Sequence, residues 1–549
     1  MMRKSVLFLI AVGLVLVSCK TIKPNDDNFA WKSFDNSEKD QSVDFSIYES
    51  PNNRLGQNEK KIVIVSSSGG GSRAAAFTTG ILLELEKIIL PNDSTLSSNV
   101  LHEVDYFSTT SGGGWGASSY IAYLYQKQKY SQPDYKKAIS DFNKSLSEEK
   151  YEKESIEPFP TFNSYEKYLA NRSDYRYFKY QIPLIFTFRF GAAKSDMIMT
   201  NRLNAGYLGW SYRDYIESKT WGILNPGVKY LKNSADEITL GDVFKSKGEK
   251  SYLPMLIANT TNIDNFKLIP FTPDRLNYWG VTEYRHYLNG FEKISTTEDL
   301  NNIPLASATK ASSGIPFAMS SSTFPALKKD IYSNRNINYY LHLQDGGFVD
   351  RQGLHSTKAI LLDSSNSTLK KENRIVIIID SSSSGVVNNK KFKKKNAGRF
   401  YNLKRVASPF SIPDAQYTLT RENVKLFEDE YNCTVVYLGM EVLLDKSIKS
   451  ISDSRADMPT NKKKVEEYFY TRYPRVQKTT DEFLNFNLNE RKMLFSYVSQ
   501  YVPTWFTSKG SKFKGRVLTD DNSSAKILFL AGRGVVQLKR ATIESIFKQ

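Results

Sequence analysis

Residues 61–90 read KIVIVSSSGGGSRAAAFTTGILLELEKIIL, and this stretch decides the fold of the chain. Residues 62–65 form a short apolar run of β-branched residues bounded by serine, which predicts a buried strand. After Arg73 the apolar residues recur at helical spacing, so we expect a helix directly after the strand. The glycine loop between them offers unpaired N–H groups at the positive end of the helix dipole. Such a loop is suited to hold an anion.

The glycine loop alone does not decide which anion it holds. With Gly69 and Gly71 as the first two glycines of GxGxxG, a dinucleotide site would need a third glycine at position 74, where Ala74 stands instead. A Walker A loop is excluded because no Gly-Lys-Ser/Thr follows the glycines. An oxyanion hole for acyl transfer and a purely structural turn both remain open for residues 68–73.

A second stretch, residues 104–120, reads VDYFSTTSGGGWGASSY and repeats the order of strand, tight turn and helix. Ser111 stands at the corner, where a nucleophile elbow places its serine on a strained turn. Gly112 and Gly113 follow it and leave room for close packing. The position two before Ser111 is Thr109, where GxSxG has glycine. This stretch alone supports a structural and a catalytic interpretation equally.

A carboxylate at a strand end forms the third candidate element. Residues 338–343 (NYYLHL) predict a strand, and Asp345 follows at a glycine turn. A carboxylate in this position can act as general base for a serine hydroxyl. Asp-Gly is also a common turn dipeptide, so a structural interpretation of Asp345 stays open.

Taken in chain order, these and two further segments resemble motifs of the patatin-like phospholipase superfamily, which includes cytosolic phospholipase A and lysophospholipase enzymes. The resemblance implies an α/β fold with three αβα layers and a mainly parallel central sheet. The matching segments are residues 68–74 (glycine-rich oxyanion motif), 110–113 (nucleophile motif), 255–262 (a core strand), 306–317 (a small-residue motif closing on Ile-Pro-Phe) and 345–350 (Asp-Gly-Gly-x-x-Asp).

The same resemblance implies roles for individual residues and a reaction, the hydrolysis of acyl esters of lipids by a Ser-Asp dyad. It implies that Arg73 orients the glycine loop or meets the substrate phosphate. It implies no cofactor and no metal. The assigned residues are Ser111 as nucleophile, Asp345 as base, Gly69, Gly70 and Gly71 as oxyanion donors, and Gly112 and Gly113 as supports of the elbow.

Two departures from the family pattern keep a second interpretation open. Thr109 replaces the glycine usual before the nucleophile, and residues 351–353 read Arg-Gln-Gly where the family often has Asn-x-Pro. The sequence therefore predicts a serine acyl hydrolase that releases fatty acids from phospholipids or lysophospholipids. The alternative is a catalytically degenerate envelope lipoprotein that binds lipid without hydrolysing it.

The histidine count bears on the mechanism. The chain has four histidines, and a conventional hydrolase triad needs one after the acid. Only His355 follows Asp345, and it falls on the next predicted helix, residues 355–362. We interpret His355 as a helix residue and expect the dyad. The few histidines and cysteines offer no zinc constellation.

The N-terminus predicts export and lipidation. Residues 1–18 have a basic start and an apolar run too short to span a bilayer, as in a secretory signal peptide. Residues 16–19 (LVSC) resemble a bacterial lipobox, in which Cys19 is lipidated and becomes the mature N-terminus; several acyl chains would then hold the protein on a bilayer. We expect a bacterial cell-envelope protein, at the outer membrane, tethered through residues 19–59. Cys433 is then left without a disulfide partner.

The remaining chain suggests three regions. Residues 60–425 are predicted to form the catalytic domain, interrupted at residues 126–250 by an aromatic-rich insertion suited to a lid or acyl-chain pocket. Residues 426–549 are expected to form an α/β extension packed on this core. Further predicted elements are strands at residues 43–48, 184–190, 374–380 and 434–440 and a helix at residues 479–501.

The charge distribution suggests a membrane partner. The formal net charge is +17, and residues 390–405 are rich in lysine and arginine. Such a run forms a solvated loop or faces an anionic lipid surface, where each cation contributes about 1 kcal/mol. Nucleic acid is not an expected partner of an exported lipoprotein, and the sequence points to no particular protein partner.

Overall fold

The computed structural model describes residues 48, 61–90, 98–130, 238–245, 253–286, 290–314, 321–329, 336–381, 424–444, 465, 468–469, 486–501, 512–513, 516–517 and 523–548. All of them belong to one unit, Val43–Gln549. The signal peptide, Cys19, most of the 126–250 insertion with its strand at 184–190, and the basic run at 390–405 lie outside the described residues.

The central sheet has eight strands in the described part of the chain. Five of them are parallel and follow the order β8-β7-β1-β2-β3. Strands β4, β5 and β6 are antiparallel additions at the β3 end. The predicted α/β fold with a mainly parallel sheet is confirmed. The strands are β1 (Ile62–Ser67), β2 (Tyr106–Thr110), β3 (Met255–Asn262), β4 (Lys267–Phe271), β5 (Ser322–Lys329), β6 (Asn336–Asp345), β7 (Arg374–Asp380) and β8 (Thr434–Gly439).

Helices connect and cover these strands. The α-helices are α1 (Gly71–Leu85), α2 (Gly112–Tyr130), α3 (Leu240–Val243), α4 (Pro273–Tyr278), α5 (Leu305–Ser312), α6 (Leu354–Leu362), α7 (Ser364–Ser367), α8 (Val424–Tyr431), α9 (Leu488–Tyr501) and α10 (Ser523–Phe547). Short 3₁₀ helices span Val100–Glu103, Thr297–Asn302, Gly346–Phe348, Lys371–Asn373 and Met440–Leu443. Short strand pairs join Ile89–Leu90 to Ser98–Asn99, Glu283–His286 to Gly290–Lys293, and Lys512–Phe513 to Arg516–Val517. Among the helices that are described, none is long and apolar enough to cross a bilayer.

Helices lie on both faces of the sheet, as the side chains of β2 show. Successive side chains of a strand point to opposite faces. The Ser108 hydroxyl donates to the carbonyl oxygen of Gly353 at the start of α6, whereas Thr109 faces Gly114 of α2. Strands β1 and β7 are buried along their whole length, as expected for parallel strands covered on both faces.

The chain beyond the predicted boundary at residues 425 and 426 contributes to the same core. Helix α8 runs across that boundary, and β8 pairs in parallel with β7. Helix α10 crosses α1 at backbone contact. A Cβ atom at Gly80 would lie 2.2 Å from the carbonyl oxygen of Phe529, and one at Gly532 would lie 2.4 Å from that of Phe77. The helix that carries the glycine loop is therefore held by the C-terminal end of the chain.

A buried ion pair fixes the same helix crossing. Arg533 Nε of α10 lies 2.7 Å from Glu84 Oε2 of α1, and their side chains are 0% and 1% exposed. Gln537 Nε2 donates to the other Glu84 oxygen at 2.7 Å. Removing one partner of a buried pair leaves an uncompensated charge in the protein interior.

We expect Arg533→Met to lower the free energy of unfolding by about 3–5 kcal/mol, because Glu84 stays buried without its counter-charge. Arg540→Met, on the same helix, removes a half-exposed pair with Glu544 and should cost less than about 1 kcal/mol. Urea unfolding of both variants measures the difference. Equal losses would show that the Glu84 pair has no special part in holding α10 on α1.

Candidate active site

Two strand ends meet at the candidate site, because β2 and β6 lie end to end along one edge of β3. Residues 258–259 of β3 pair with both β2 and β4, and residues 260–262 pair with both β6 and β4. Since a strand has only two edges, β2 and β6 share the edge opposite β4. Thr110 ends β2 and Asp345 ends β6, beside adjacent residues of β3. This topology brings Ser111, the residue after Thr110, next to Asp345.

Ser111 occupies a strained turn between β2 and α2. Its φ is +51°, a left-handed conformation that few residues other than glycine adopt. Its N–H donates at 3.1 Å to both the carbonyl oxygen and the hydroxyl of Ser312, at the end of α5. The hydroxyl of Ser312 in turn donates to the backbone oxygen of Asn259 at 2.6 Å. Helix α5 and β3 therefore hold the turn in its strained conformation.

Glycines after Ser111 let the turn contact the glycine loop directly. A Cβ atom at Gly112 would lie 1.9 Å from the carbonyl oxygen of Gly71, and one at Gly113 would lie 2.6 Å from that of Ser68. The Thr109 side chain is accommodated on the other side, where a Cβ at Gly114 would lie 3.1 Å from its hydroxyl. The departure from GxSxG is thus compensated within α2.

The side chains of Ser111 and Asp345 are hydrogen-bonded to each other. Ser111 Oγ donates to Asp345 Oδ2 at 2.7 Å. The N–H of Gly347 donates to Asp345 Oδ1 at 2.8 Å, which holds the carboxylate in place. Ser111 is 3% exposed and Asp345 is 7% exposed, so the pair lies in a largely dry environment.

Burial gives Asp345 an unusual affinity for protons. Loss of hydration disfavours the charged carboxylate and raises the pKa of Asp345 from 3.8 to about 6. The hydrogen bonds from Ser111 and Gly347 act in the opposite direction and lower this pKa. A carboxylate with a pKa near 6 is a stronger proton acceptor than an exposed one and is still ionised at neutral pH.

The glycine loop lies against Ser111, but its three glycines differ in hydrogen bonding. A Cβ at Gly69 would be 3.2 Å from the Cβ of Ser111. The N–H of Gly69 donates to the carbonyl oxygen of Arg351 at 2.7 Å, so it is already occupied. No hydrogen bond within the described part of the chain takes up the N–H of Gly70 or Gly71. Of the three glycines predicted as oxyanion donors, Gly70 and Gly71 are therefore the two whose N–H groups have no acceptor among the described residues.

Arg73 is buried in the first turn of α1, 8% exposed, and interacts electrostatically with Asp380 at the end of β7. Burial lowers the pKa of Arg73, and the Asp380 charge partly offsets that effect. Asp380 Oδ2 also accepts hydrogen bonds from Gln352 Nε2 at 3.1 Å and from the Tyr437 hydroxyl at 2.9 Å. Of the two roles expected for Arg73, this position favours support of the loop over contact with a substrate phosphate.

A family model described as patatin-like phospholipase matches residues 65–357, more than half of the chain. The chain belongs to the patatin-like phospholipase family. A search of curated proteins returned no match to the chain. The matched residues include Ser111, Asp345 and the whole glycine loop, so the paired side chains lie within the patatin-like region.

The second aspartate of the patatin-like Asp-Gly-Gly-x-x-Asp motif shapes the loop before α6. Asp350 accepts the N–H of Gln352 at 3.1 Å and that of His355 at 2.7 Å. The Gln352 carbonyl oxygen accepts the Ser66 hydroxyl at 2.6 Å. Gly353 has a φ of +72°, which proline cannot adopt. Arg-Gln-Gly in place of Asn-x-Pro therefore builds a different turn that still contacts β1.

His355 takes no part in the hydrogen bond between Ser111 and Asp345. It is in the first turn of α6, as predicted, beside Asp350, and burial lowers the pKa of its imidazole. Among the described histidines, none donates to or accepts from Ser111 or Asp345. The described residues also include no group of three or more His, Cys, Asp or Glu side chains placed to hold a metal ion.

Sequence reasoning missed Asn259 as an anchor of the patatin-like site. Its Nδ2 donates at 3.1 Å to the Ser108 hydroxyl and at 3.1 Å to the Thr109 carbonyl oxygen. Its Oδ1 accepts the hydroxyl of Ser356 on α6 at 2.6 Å. The available signal was an amide side chain within the strand MLIANTTN, because a fully buried amide needs internal partners.

We predict that Asp345→Asn removes a pH-dependent cost of folding. Between pH 4 and 6 the unfolded chain has ionised Asp345 while the folded chain keeps it protonated, so the parent loses stability as pH rises. Above pH 6 Asp345 is ionised in both the folded and the unfolded chain, so the loss of stability of the parent levels off, on the order of 3 kcal/mol. Urea unfolding of parent and variant from pH 4 to 8 measures this difference.

Asp299→Asn provides a control of opposite sign. The N–H groups of Thr296 and Ser295 hold the pKa of Asp299 below its usual value. The stability that the ionised Asp299 provides is therefore present above its ordinary pKa and lost as pH falls. A parent-minus-variant difference at Asp345 that does not change with pH would contradict the raised pKa.

Proposed function

We propose that this protein is a serine acyl hydrolase that releases fatty acids from phospholipids or lysophospholipids. The observation that carries the proposal is the 2.7 Å hydrogen bond from Ser111 Oγ to the buried Asp345 carboxylate. The neighbouring N–H groups of Gly70 and Gly71 supply an oxyanion hole beside it. Membership of a lipid acyl hydrolase family supports the ester of a lipid as the substrate.

Acylation begins when Asp345 accepts the proton of the Ser111 hydroxyl. The serine oxygen forms a bond to the ester carbonyl carbon, and the carbonyl electrons move to its oxygen. The N–H groups of Gly70 and Gly71 stabilise the resulting oxyanion. As the intermediate collapses, the C–O bond to the leaving alcohol breaks, and the alcohol oxygen takes the proton from Asp345. The acyl chain remains on Ser111.

Deacylation repeats these steps with water. Asp345 accepts a proton from a water molecule whose oxygen bonds to the acyl carbon, and the oxyanion forms again in the same hole. Collapse breaks the bond to Ser111 Oγ, which regains its proton from Asp345. The products are a free fatty acid and the starting enzyme. One carboxylate therefore serves as both base and acid, and histidine has no step to perform.

Neither departure from the family pattern favours the degenerate alternative. Thr109 is accommodated by Gly114, and residues 351–353 keep their contacts with β1 and the glycine loop. The reacting side chains remain paired. A protein that only binds lipid does not require a serine in a strained backbone conformation, nor a hydrogen bond from that serine to a carboxylate whose pKa is raised.

We predict that soluble protein beginning after Cys19 releases fatty acid from mixed phospholipid and lysophospholipid micelles. Ser111→Ala should lower kcat by at least about 10³-fold and Asp345→Asn by about 10²–10⁴-fold, because they remove nucleophile and base. For the parent, kcat/KM should rise about tenfold per pH unit up to pH 6 and stay level above it, since Asp345 must be ionised.

His355→Gln is the matched control for this assay and should leave kcat within about threefold of the parent, since the dyad mechanism assigns it no proton transfer. If His355→Gln lost activity while Asp345→Asn kept it, His355 rather than Asp345 would be the general base, and the dyad mechanism would be wrong. A folded parent that binds lipid vesicles but releases no fatty acid would favour the degenerate lipoprotein.

We propose that Cys19 is lipidated and holds the protein in the bacterial cell envelope, at the outer membrane, and that the basic run at residues 390–405 interacts with anionic lipid. Residues 16–19 carry this proposal through their likeness to a lipobox. A lipid anchor would keep the enzyme at the surface that contains its substrate.

Expression of the full chain in a bacterium tests the anchor. Cys19→Ala should abolish incorporation of an alkynyl fatty acid and move the protein from the membrane to the soluble fraction, because no acyl chain can be attached. Cys433→Ala, which removes the buried free thiol, should change neither result. Membrane association and labelling that persist in Cys19→Ala would rule out lipidation at this residue.

A further inference from the structure

The carboxyl end of β7 contacts the glycine loop through Ser381, a buried residue that directly follows the strand. The N–H of Ser381 donates to the Ser68 hydroxyl at 2.8 Å. Its own hydroxyl donates to the carbonyl oxygen of Gly69 at 2.9 Å. The two hydroxyls are 3.0 Å apart. Ser381 thus contacts the loop at two points.

The direction of each of these hydrogen bonds follows from proton count. A serine hydroxyl has one proton to donate. Because Ser381 donates its proton to Gly69, the Ser68 hydroxyl must donate to Ser381, and it can still accept the N–H of Ser381. Every donor in the group has an acceptor. The chain of hydrogen bonds ends on the carbonyl oxygen of Gly69.

That carbonyl oxygen fixes the orientation of the peptide that joins Gly69 to Gly70. In a planar trans peptide the C=O and N–H bonds point in opposite directions. Since Ser381 holds the Gly69 oxygen, the N–H of Gly70 must point away from Ser381. The preceding peptide is held as well, because the N–H of Gly69 donates to Arg351.

Gly70 lacks any conformational preference that could hold this peptide by itself. Its φ of +140° is open to glycine and strained for other residues, and a Cβ here would lie 2.9 Å from Ser381 Oγ. Glycine accepts several backbone conformations at little cost. Without an external contact, the peptide could rotate and change the direction of the Gly70 N–H.

We propose that Ser381 is a positioning residue of the oxyanion hole, which acts by holding the Gly69 carbonyl so that the Gly70 N–H stays directed at the reacting oxygen. The inference rests on the proposed acyl hydrolase function and extends it to a residue outside the family-matched segment, residues 65–357. Oxyanion donors are effective because they are already oriented before the reaction. Ser381 supplies that orientation through its hydrogen bond to the Gly69 carbonyl oxygen.

The test compares Ser381→Ala with the conservative Ser381→Thr in the micelle assay. Ser381→Ala should lower kcat by about 10- to 100-fold, less than the 10²–10³ typical of losing a donor outright, with KM changed by less than about twofold. Ser381→Thr keeps the hydroxyl and should recover most of the lost kcat. Binding of a fatty-acyl trifluoromethyl ketone, which forms the oxyanion, should weaken in Ser381→Ala in proportion to kcat.

Ser119→Ala is the matched control. Ser119 is also buried and donates its hydroxyl at 2.8 Å to a backbone carbonyl, that of Gly116, which belongs to α2 and not to the glycine loop. Ser119→Ala should therefore retain the kcat of the parent and its affinity for the trifluoromethyl ketone. Thermal unfolding of each variant shows whether a loss of kcat comes from lower stability of the fold or from a misoriented Gly70 N–H in a folded protein.

The outcomes distinguish this inference from the proposed function. A parent that turns over and loses activity in Ser111→Ala, while Ser381→Ala keeps parental kcat and ketone affinity, overturns the positioning role and leaves the hydrolase intact. If Ser381→Ala and Ser119→Ala lost kcat and ketone affinity equally, Ser381 would contribute only to packing and not to orientation of the Gly70 N–H. A parent inert on every ester removes the function and the positioning role together.

Discussion

The hydrogen bond between Ser111 and Asp345 depends on one topological constraint, the end-to-end meeting of β2 and β6 along the same edge of β3. Residues 234 positions apart in sequence come within 2.7 Å because each follows or ends a strand that pairs with adjacent β3 residues. The antiparallel direction of β6 is essential, since only an opposed strand can end where β2 ends. The pairing of the Ser111 and Asp345 side chains is a consequence of the sheet topology.

Local sequence patterns predicted the parallel core well. The apolar runs at β1 and β7 and the strand–helix turns after β1 and β2 lie where expected, because a doubly covered strand needs a continuous apolar run. The core strand that the family resemblance implied at residues 255–262 is β3. The pairing of β6 with both β3 and β5 was not predicted. Neither was the backbone contact between Gly80 of α1 and Phe529 of α10, since both depend on residues far apart in sequence.

Sequence motifs singled out Ser111 and Asp345, which the structure pairs by a hydrogen bond, but they did not predict the surroundings of this pair. Nothing near Gly69 in sequence indicates that its N–H bonds to Arg351, nor that its carbonyl bonds to Ser381. Thr109 looked unfavourable for the elbow because the room that Gly114 makes for it becomes visible only when strand and helix are packed. Hydrogen-bond partners contributed by distant segments determine which glycine N–H groups stay available.

In the proposed mechanism, Asp345 activates Ser111 for attack on an acyl carbonyl. Reaction of the folded protein with a fluorophosphonate, followed by mass spectrometry of the peptides, tests it most directly, because such probes bond only to an activated serine. We predict a single adduct on Ser111, formed faster above pH 6 and much more slowly in Asp345→Asn. An unmodified Ser111, or labelling of Asp345→Asn at the same rate as the parent, would show that Asp345 does not activate Ser111.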